Sequence, residues 1–339
     1  MIDTLRFRIP VDFATYAQIQ NKCVRFTRSS PDEMGYRKDD YSKTLVVGVH
    51  RTKIRVSLYK EKCLFVEFSV PKYWFGHNVL LFPPQDLPLV LDDLKNVLED
   101  RFSVILPDYN LWRIQRLDIC YAWKLPSNED AHLILAAMKP YSLPRKDQVD
   151  YPTTIWHKGN TFSVRLYLKH EEFFQGDYKE LVKWGDGQFA SNVLRMSEGV
   201  LRFEVELRKG KLDSLFKKDI YPKDIMDINA MQSILCQFLV DLVKTTDPKL
   251  MTLATIAHLI QSGSTRRQAW EHWSFYRIFS SSNPVDQQMV KVLPKATYYA
   301  KVKKLRALGV GVYDQDNKLD FSFEIPSIYE VSDAEGQGD

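Results

Sequence analysis

Over its first two hundred residues the chain alternates hydrophobic and polar side chains with the two-residue period of β-strands, whose successive side chains point to opposite faces. Residues 2–9, 44–50, 53–60 and 63–70 predict strands, the last three joined by short turns into a meander. Asp86 is placed to cap a helix carrying Leu87, Val90, Leu91, Leu94 and Leu98 on one side. A strand over 112–124 follows, then a helix opened by Ser127 with Asp130 three residues on, the spacing of a capping box. Strands over 153–158 and 161–171 flank a tight H-K-G-N turn and predict a hairpin. A loosely helical, Gly-containing stretch from 175 to 199 leads into a last strand, V-L-R-F-E-V-E-L-R.

From residue 226 the period becomes helical, with helices predicted over 227–244, 249–261, 265–280 and 296–308, two of them ended by Gly263 and Gly309. G-V-G-V-Y, D-Q-D-N-K and L-D-F-S-F-E-I then read as a hairpin. Helix, helix, hairpin is the order of a winged helix-turn-helix, in which Lys295, Lys301, Lys303, Lys304 and Arg306 would lie on the recognition helix, with Val302, Leu305 and Leu308 turned to the core. The expected fold is therefore α+β: an antiparallel-rich sheet with helices on one face over residues 1–220, and a helical winged-helix domain over 226–326. The acidic tail 327–339 is expected to be disordered.

Composition adds bounds. The 339 residues are 45% hydrophobic and 27% charged, enough for a large core, and no apolar run approaches the roughly 20 residues that span a bilayer. The N-terminus alternates like a strand and shows no signal-peptide block, so the cytoplasm is the default compartment and no membrane partner is expected. The four cysteines, Cys23, Cys63, Cys120 and Cys236, form no C-x-x-C pair and read as reduced thiols. The net charge of +4 is small but uneven: from Ser264 to Arg306 nine Lys or Arg stand against two acids, interleaved with Trp and Tyr. That mixture suits a polyanion, and equally a solvated helix face over an aromatic core.

Three strands share a further pattern. In T-F-S-V-R-L-Y-L-K-H, Arg165, Tyr167 and Lys169 oppose Val164, Leu166 and Leu168; in Q-R-L-D-I-C-Y, Arg116 and Asp118 share a face; in L-R-F-E-V-E-L-R, Arg202, Glu204 and Glu206 do. If the three strands are neighbours, these groups meet on one face. Clustered carboxylates on rigid strands suit a hard divalent cation such as magnesium or manganese. A metal beside a tyrosine and cations points to phosphoryl transfer, with the tyrosine oxygen attacking in line and nearby positive charge favouring the phenolate. The same pattern also describes an open sheet face laced with ion pairs.

At these residues the sequence resembles the gene II replication proteins of filamentous phages and related phage and plasmid initiators. The resemblance runs through M-I-D-T-L-R-F-R-I-P, G-H-N-V at 76–79, R-L-D at 116–118 with the P-S-N-E-D helix, T-T-I-W at 153–156, Y-L-K-H at 167–170 and V-L-R-F-E at 200–204, with a weaker echo in L-P-K-A-T-Y-Y-A-K-V. It implies an HUH-endonuclease-like nicking domain and a rolling-circle initiator. Such an enzyme nicks one strand at the origin, stays joined to the 5′ phosphate through tyrosine, leaves a 3′-OH to prime synthesis and later rejoins the displaced strand. Its partners are origin DNA, duplex and single-stranded, with a host helicase and DNA polymerase, in the bacterial cytoplasm. Carried over, the nucleophile falls on Tyr167, Lys169 becomes a phosphate or phenolate partner, and Asp118, Glu204, Glu206 and His77 become candidate metal ligands. Arg116, Arg165 and Arg202 would contact DNA. Many nicking enzymes of wider kinship use two histidines flanking one hydrophobic residue, and this sequence has no such triplet. The competing readings are an origin-binding protein or repressor without chemistry, and a metal-dependent nuclease using activated water.

Overall fold

The structure, a computed structural model, describes residues 1–27, 39–59, 63–139, 143, 146–244, 260–261, 264–280, 294, 297, 300–301 and 303–305. Its centre is an antiparallel sheet of ten strands among these residues: β1 (Ile2–Pro10), β2 (Val24–Thr27), β3 (Asp39–Val47), β4 (Thr52–Tyr59), β5 (Cys63–Ser69), β6 (Arg113–Lys124), β7 (Asp147–Tyr151), β8 (Thr154–Lys158), β9 (Phe162–Leu168) and β10 (Val200–Arg208). Their order is β2-β3-β4-β5-β1-β6-β10-β9-β8-β7. The predicted meander is one wing and the predicted hairpin lies in the other, while β1, β6 and β10 form the middle. The edge strands β2 and β7 were not legible as strands.

One face is apolar because alternation continues unbroken across paired strands: Val56 lies opposite Val66, Val66 opposite Phe7, and Val205 opposite both Ile119 and Val164. Five helices bury their apolar sides against it: α1 (Phe13–Asn21), α3 (Leu87–Phe102), α4 (Asn128–Met138), α8 (Lys209–Phe216) and α9 (Ile228–Lys244). Between α1 and α3, the short α2 (Val70–Phe75) turns the chain at Gly76, whose φ of 79° suits a residue without Cβ. In α3 the predicted stripe Leu87, Val90, Leu91, Leu94 and Leu98 is fully buried, but Asp86 at its start makes no side-chain cap bond, since the preceding turn is a 3₁₀ helix. Ser127 caps α4 as expected, accepting from the Asp130 N–H at 3.1 Å.

Two expectations are corrected. Strand β9 ends at Leu168, and Lys169 opens a helix, α5 (Lys169–Gln175), with Glu171 and Glu172 in its first turn. The helices are not confined to one face. Helices α5, α6 (Asp177–Lys183) and α7 (Gly187–Met196) build a small core of their own with Val79 from the 76–79 loop, and they stand over part of the polar face. There Lys53, on the polar side of β4, bonds Glu180 of α6 at 2.8 Å.

In the C-terminal region α10 (Arg266–Ser280) agrees with the predicted helix, and helical residues recur between 297 and 305, where Leu305 is buried as expected. The predicted wing, the tail, Lys295, Arg306, Val302 and Leu308 lie outside the described residues. Among the described residues no helix is long and apolar enough to cross a membrane.

Candidate active site on the polar sheet face

The three strands with charged faces are neighbours. Glu206 lies opposite both Asp118 and Ser163, Glu204 opposite Cys120 and Arg165, and Arg202 opposite Ala122 and Tyr167. Opposed residues share a face, so the register brings Arg116, Asp118, Arg165, Tyr167, Arg202, Glu204 and Glu206 together as the alternation required.

Tyr167 is 6% exposed, and its hydroxyl donates to Glu204 Oε2 at 2.9 Å. Burial, followed by the Glu204 charge, pushes the phenol well above its ordinary pKa, with Arg202 pulling the other way. The cations therefore do not produce a phenolate here; a proton acceptor is needed, and Glu204 is in place. Glu204 is itself raised by burial and by the charge of Asp3. Asp118 is pushed up to about 8 by burial, although Arg116 donates to both of its oxygens at 2.8 and 2.6 Å.

Asp3 is the site residue that pattern reading missed. Regular alternation would place it with Leu5 and Phe7 on the apolar face. The pairing of β1 with β6 shifts register between Ile2 and Leu5, and such an irregularity re-aims a side chain. Asp3 Oδ1 is 3.9 Å from the Arg202 guanidinium and is a buried oxygen without a hydrogen bond. Asp3, Asp118 and Glu204 thus act on one another as three buried carboxylates on the central strands.

Lys169 is fully buried, with Nζ bonded to Asn78 Oδ1 at 2.8 Å and to Glu172, and 5.9 Å from the Tyr167 ring centre. Arg202, expected to meet DNA, has no exposed surface; it donates to the carbonyls of Asn78 and of Val79, the latter at 2.6 Å, tying that loop to the sheet. His77 is lowered to about 4 by burial, then by Lys169 and Arg202, and its Nδ1 accepts from the Val79 N–H at 3.2 Å. A neutral ring beside two cations is not where the carboxylates are. Glu206 is gripped by Arg208 at 2.7 Å, Arg165 at 3.4 Å and Arg116 at 3.6 Å, so it aligns arginines. His170 turns away from Tyr167 toward the Leu194 carbonyl and Ser197. Among the described residues, no three His, Cys, Asp or Glu side chains are arranged so as to hold a metal ion.

Beside this buried centre the polar face opens into a cleft of about 440 Å³, lined by sheet residues including Thr4, Arg55, Glu67 and Arg116 and by Trp184 after α6.

The family described as the N-terminal region of a phage replication-associated protein, the gene II product, matches residues 1–220. The chain belongs to this family. It is a replication initiator of the filamentous-phage gene II type, and the match spans the whole sheet and every residue of the buried centre. No curated protein and no solved structure matches it. Of the initiator's C-terminal cations, Lys303 and Lys304 are exposed, and Lys301 Nζ lies 5.8 Å from the Phe275 ring centre.

Proposed function

We propose that this initiator nicks one strand of its origin and rejoins it through a covalent bond between Tyr167 and a 5′ phosphate. The supporting observation is the Tyr167–Glu204 pair: a phenol too basic to ionise unaided, held at 2.9 Å from a carboxylate whose own proton affinity is raised. Glu204 takes the phenolic proton as the tyrosine oxygen attacks phosphorus, the bond to the 3′ oxygen breaks, and that oxygen leaves as a 3′-OH after taking a proton from water. Reversal, with the 3′-OH attacking the phosphotyrosine, restores the strand. Arg165 and Arg202 flank the pair and offset charge developing on the phosphate. Since Tyr167 and Arg202 are covered, the substrate phosphate has to displace part of the 76–79 loop or α5.

The residues as they stand do not fit a hard divalent ion such as magnesium or manganese: among the described residues no three carboxylate or histidine side chains converge to hold one, and Asp118 is held through both oxygens by Arg116. Asp3, Asp118 and Glu204 are mutually repelling buried carboxylates, and Asp3 Oδ1 makes no hydrogen bond, with the Arg202 guanidinium 3.9 Å away. His77 and Glu206 are engaged elsewhere and are dropped from the set. The C-terminal cations, Lys301, Lys303 and Lys304, would find the site in duplex DNA as part of a winged helix, and the 3′-OH would prime a host polymerase behind a host helicase.

The test is peptide mapping after reaction with a labelled origin oligonucleotide and denaturation. The nucleotide should remain on the tryptic peptide Leu166–Lys169. Cleavage that leaves no adduct would select activated water instead, and binding without cleavage would select a non-catalytic origin-binding protein.

A further inference from the structure

The register of the central strands lines up more than the buried centre. Arg55 of β4 lies opposite Glu67 of β5, Glu67 opposite Arg6 of β1, Arg6 opposite Arg116 of β6, and Arg116 opposite Arg208 of β10. Four arginines and one glutamate therefore form a single row across five adjacent strands, spanning roughly 19 Å at about 4.8 Å per strand. Like charges placed directly opposite, as at Arg6–Arg116 and Arg116–Arg208, weaken a sheet, so stability does not account for the row. Three of its members are aimed by carboxylates: Arg6 by Glu67 at 3.8 Å, Arg116 by Asp118, and Arg208 by Glu206. The Arg55 side chain is exposed and makes no ion pair or hydrogen bond among the described residues.

Three members of the row, Arg55, Glu67 and Arg116, line the open cleft. Trp184 lines the same cleft, with the Arg51 guanidinium 5.5 Å and Lys53 Nζ 5.8 Å from its ring centre. Cations and an indole lining one cleft are the two components that hold a single strand without reading its sequence: backbone charge and base stacking.

We infer that the arginine row and its cleft are the track for single-stranded DNA flanking the nick. The occupant is a single strand, and not a duplex, because the ring can stack only a base freed from pairing. The inference deepens the reading of this face as a nicking centre and rests on it for the choice of ligand. Its test uses neither Tyr167 nor a metal, so the two can fail separately.

The measurement is fluorescence anisotropy of a short labelled oligothymidylate with the full chain in chelator, across a salt series. Arg55→Ala should weaken binding several-fold and flatten the slope of log affinity against log salt by about 0.7. Trp184→Ala should weaken it roughly five- to a hundred-fold, the worth of one stacked base, and Trp184→Phe should recover most of the loss. Arg101→Ala, an exposed arginine on α3 across the sheet, should change nothing. Equal effects of Arg55→Ala and Arg101→Ala would overturn the inference, as would an unchanged slope. So would a hairpin duplex or polyglutamate that competes as well as the oligothymidylate, since the groove would then be a general polyanion surface.

Discussion

Tyr167 and Arg116 lie on the same face of the same sheet with only β10 between their strands, yet they meet solvent differently. Tyr167 is almost sealed beneath α5 and the 76–79 loop, whereas the Arg116 side chain keeps 25% of its surface and borders an open cleft. Under the cover, lost hydration moves three acids in the same direction: the phenol, Glu204 and Asp118 all hold their protons more tightly. In the open half the same kinds of side chain form solvated ion pairs, whose net worth is about 0–1 kcal/mol each. A dry end suits proton transfer and a wet end suits reversible grip on a strand, so the two halves should fail separately.

The largest separation is expected from Glu204→Gln. Removing the proton acceptor of Tyr167 should lower oligonucleotide cleavage by about 10²–10⁴-fold while affinity for oligothymidylate stays within about two-fold. A parallel loss of both, measured by gel cleavage and anisotropy, would break the division.

A smaller effect concerns stability. The folded-state pKa of Asp118, about 8, is above its ordinary 3.8, so the native state binds the extra proton. The stabilisation is complete below about pH 4 and is lost as pH rises through 8. The melting temperature in chelator should therefore fall between about pH 4 and 8 and level off above that. Asp118→Asn should flatten that fall and melt higher than the wild type at the alkaline end. A wild-type melting temperature that is flat across this window would contradict a buried Asp118 that holds its proton in the native state.

The smallest effect lies outside the sheet. Lys303→Ala with Lys304→Ala removes two exposed charges and should reduce the salt slope of duplex binding by about 0.9 for each phosphate left without its cation, with oligonucleotide cleavage intact. Equal loss in both assays would place that helix in the catalytic half.

Alternation made the chemistry-bearing strands legible: the side on which Arg165, Tyr167, Asp118, Glu204 and Glu206 fall needs only a two-residue period. Which strands adjoin, and in what register, depends on long-range pairing, so the Arg55–Arg208 row had no local signature. Asp3 was hidden by the shift between Ile2 and Leu5. The helical start at Lys169 was masked because Leu168, Lys169 and His170 continue the strand's alternation; the acids Glu171 and Glu172, favourable near a helix N-terminus, were the available signal. Helix α1 was likewise announced by Asp12, which accepts from the Thr15 N–H at 2.7 Å, but it buries little beyond Ile19 and shows a weak period.

The most direct measurement compares Tyr167→Phe with the wild type for covalent capture of a labelled origin oligonucleotide, alongside melting temperature and affinity. The substitution deletes one hydroxyl whose described partner is Glu204, so fold and binding should persist while the adduct and the nick both vanish. A Tyr167→Phe protein that still nicks and still carries DNA through denaturation would place the nucleophile elsewhere.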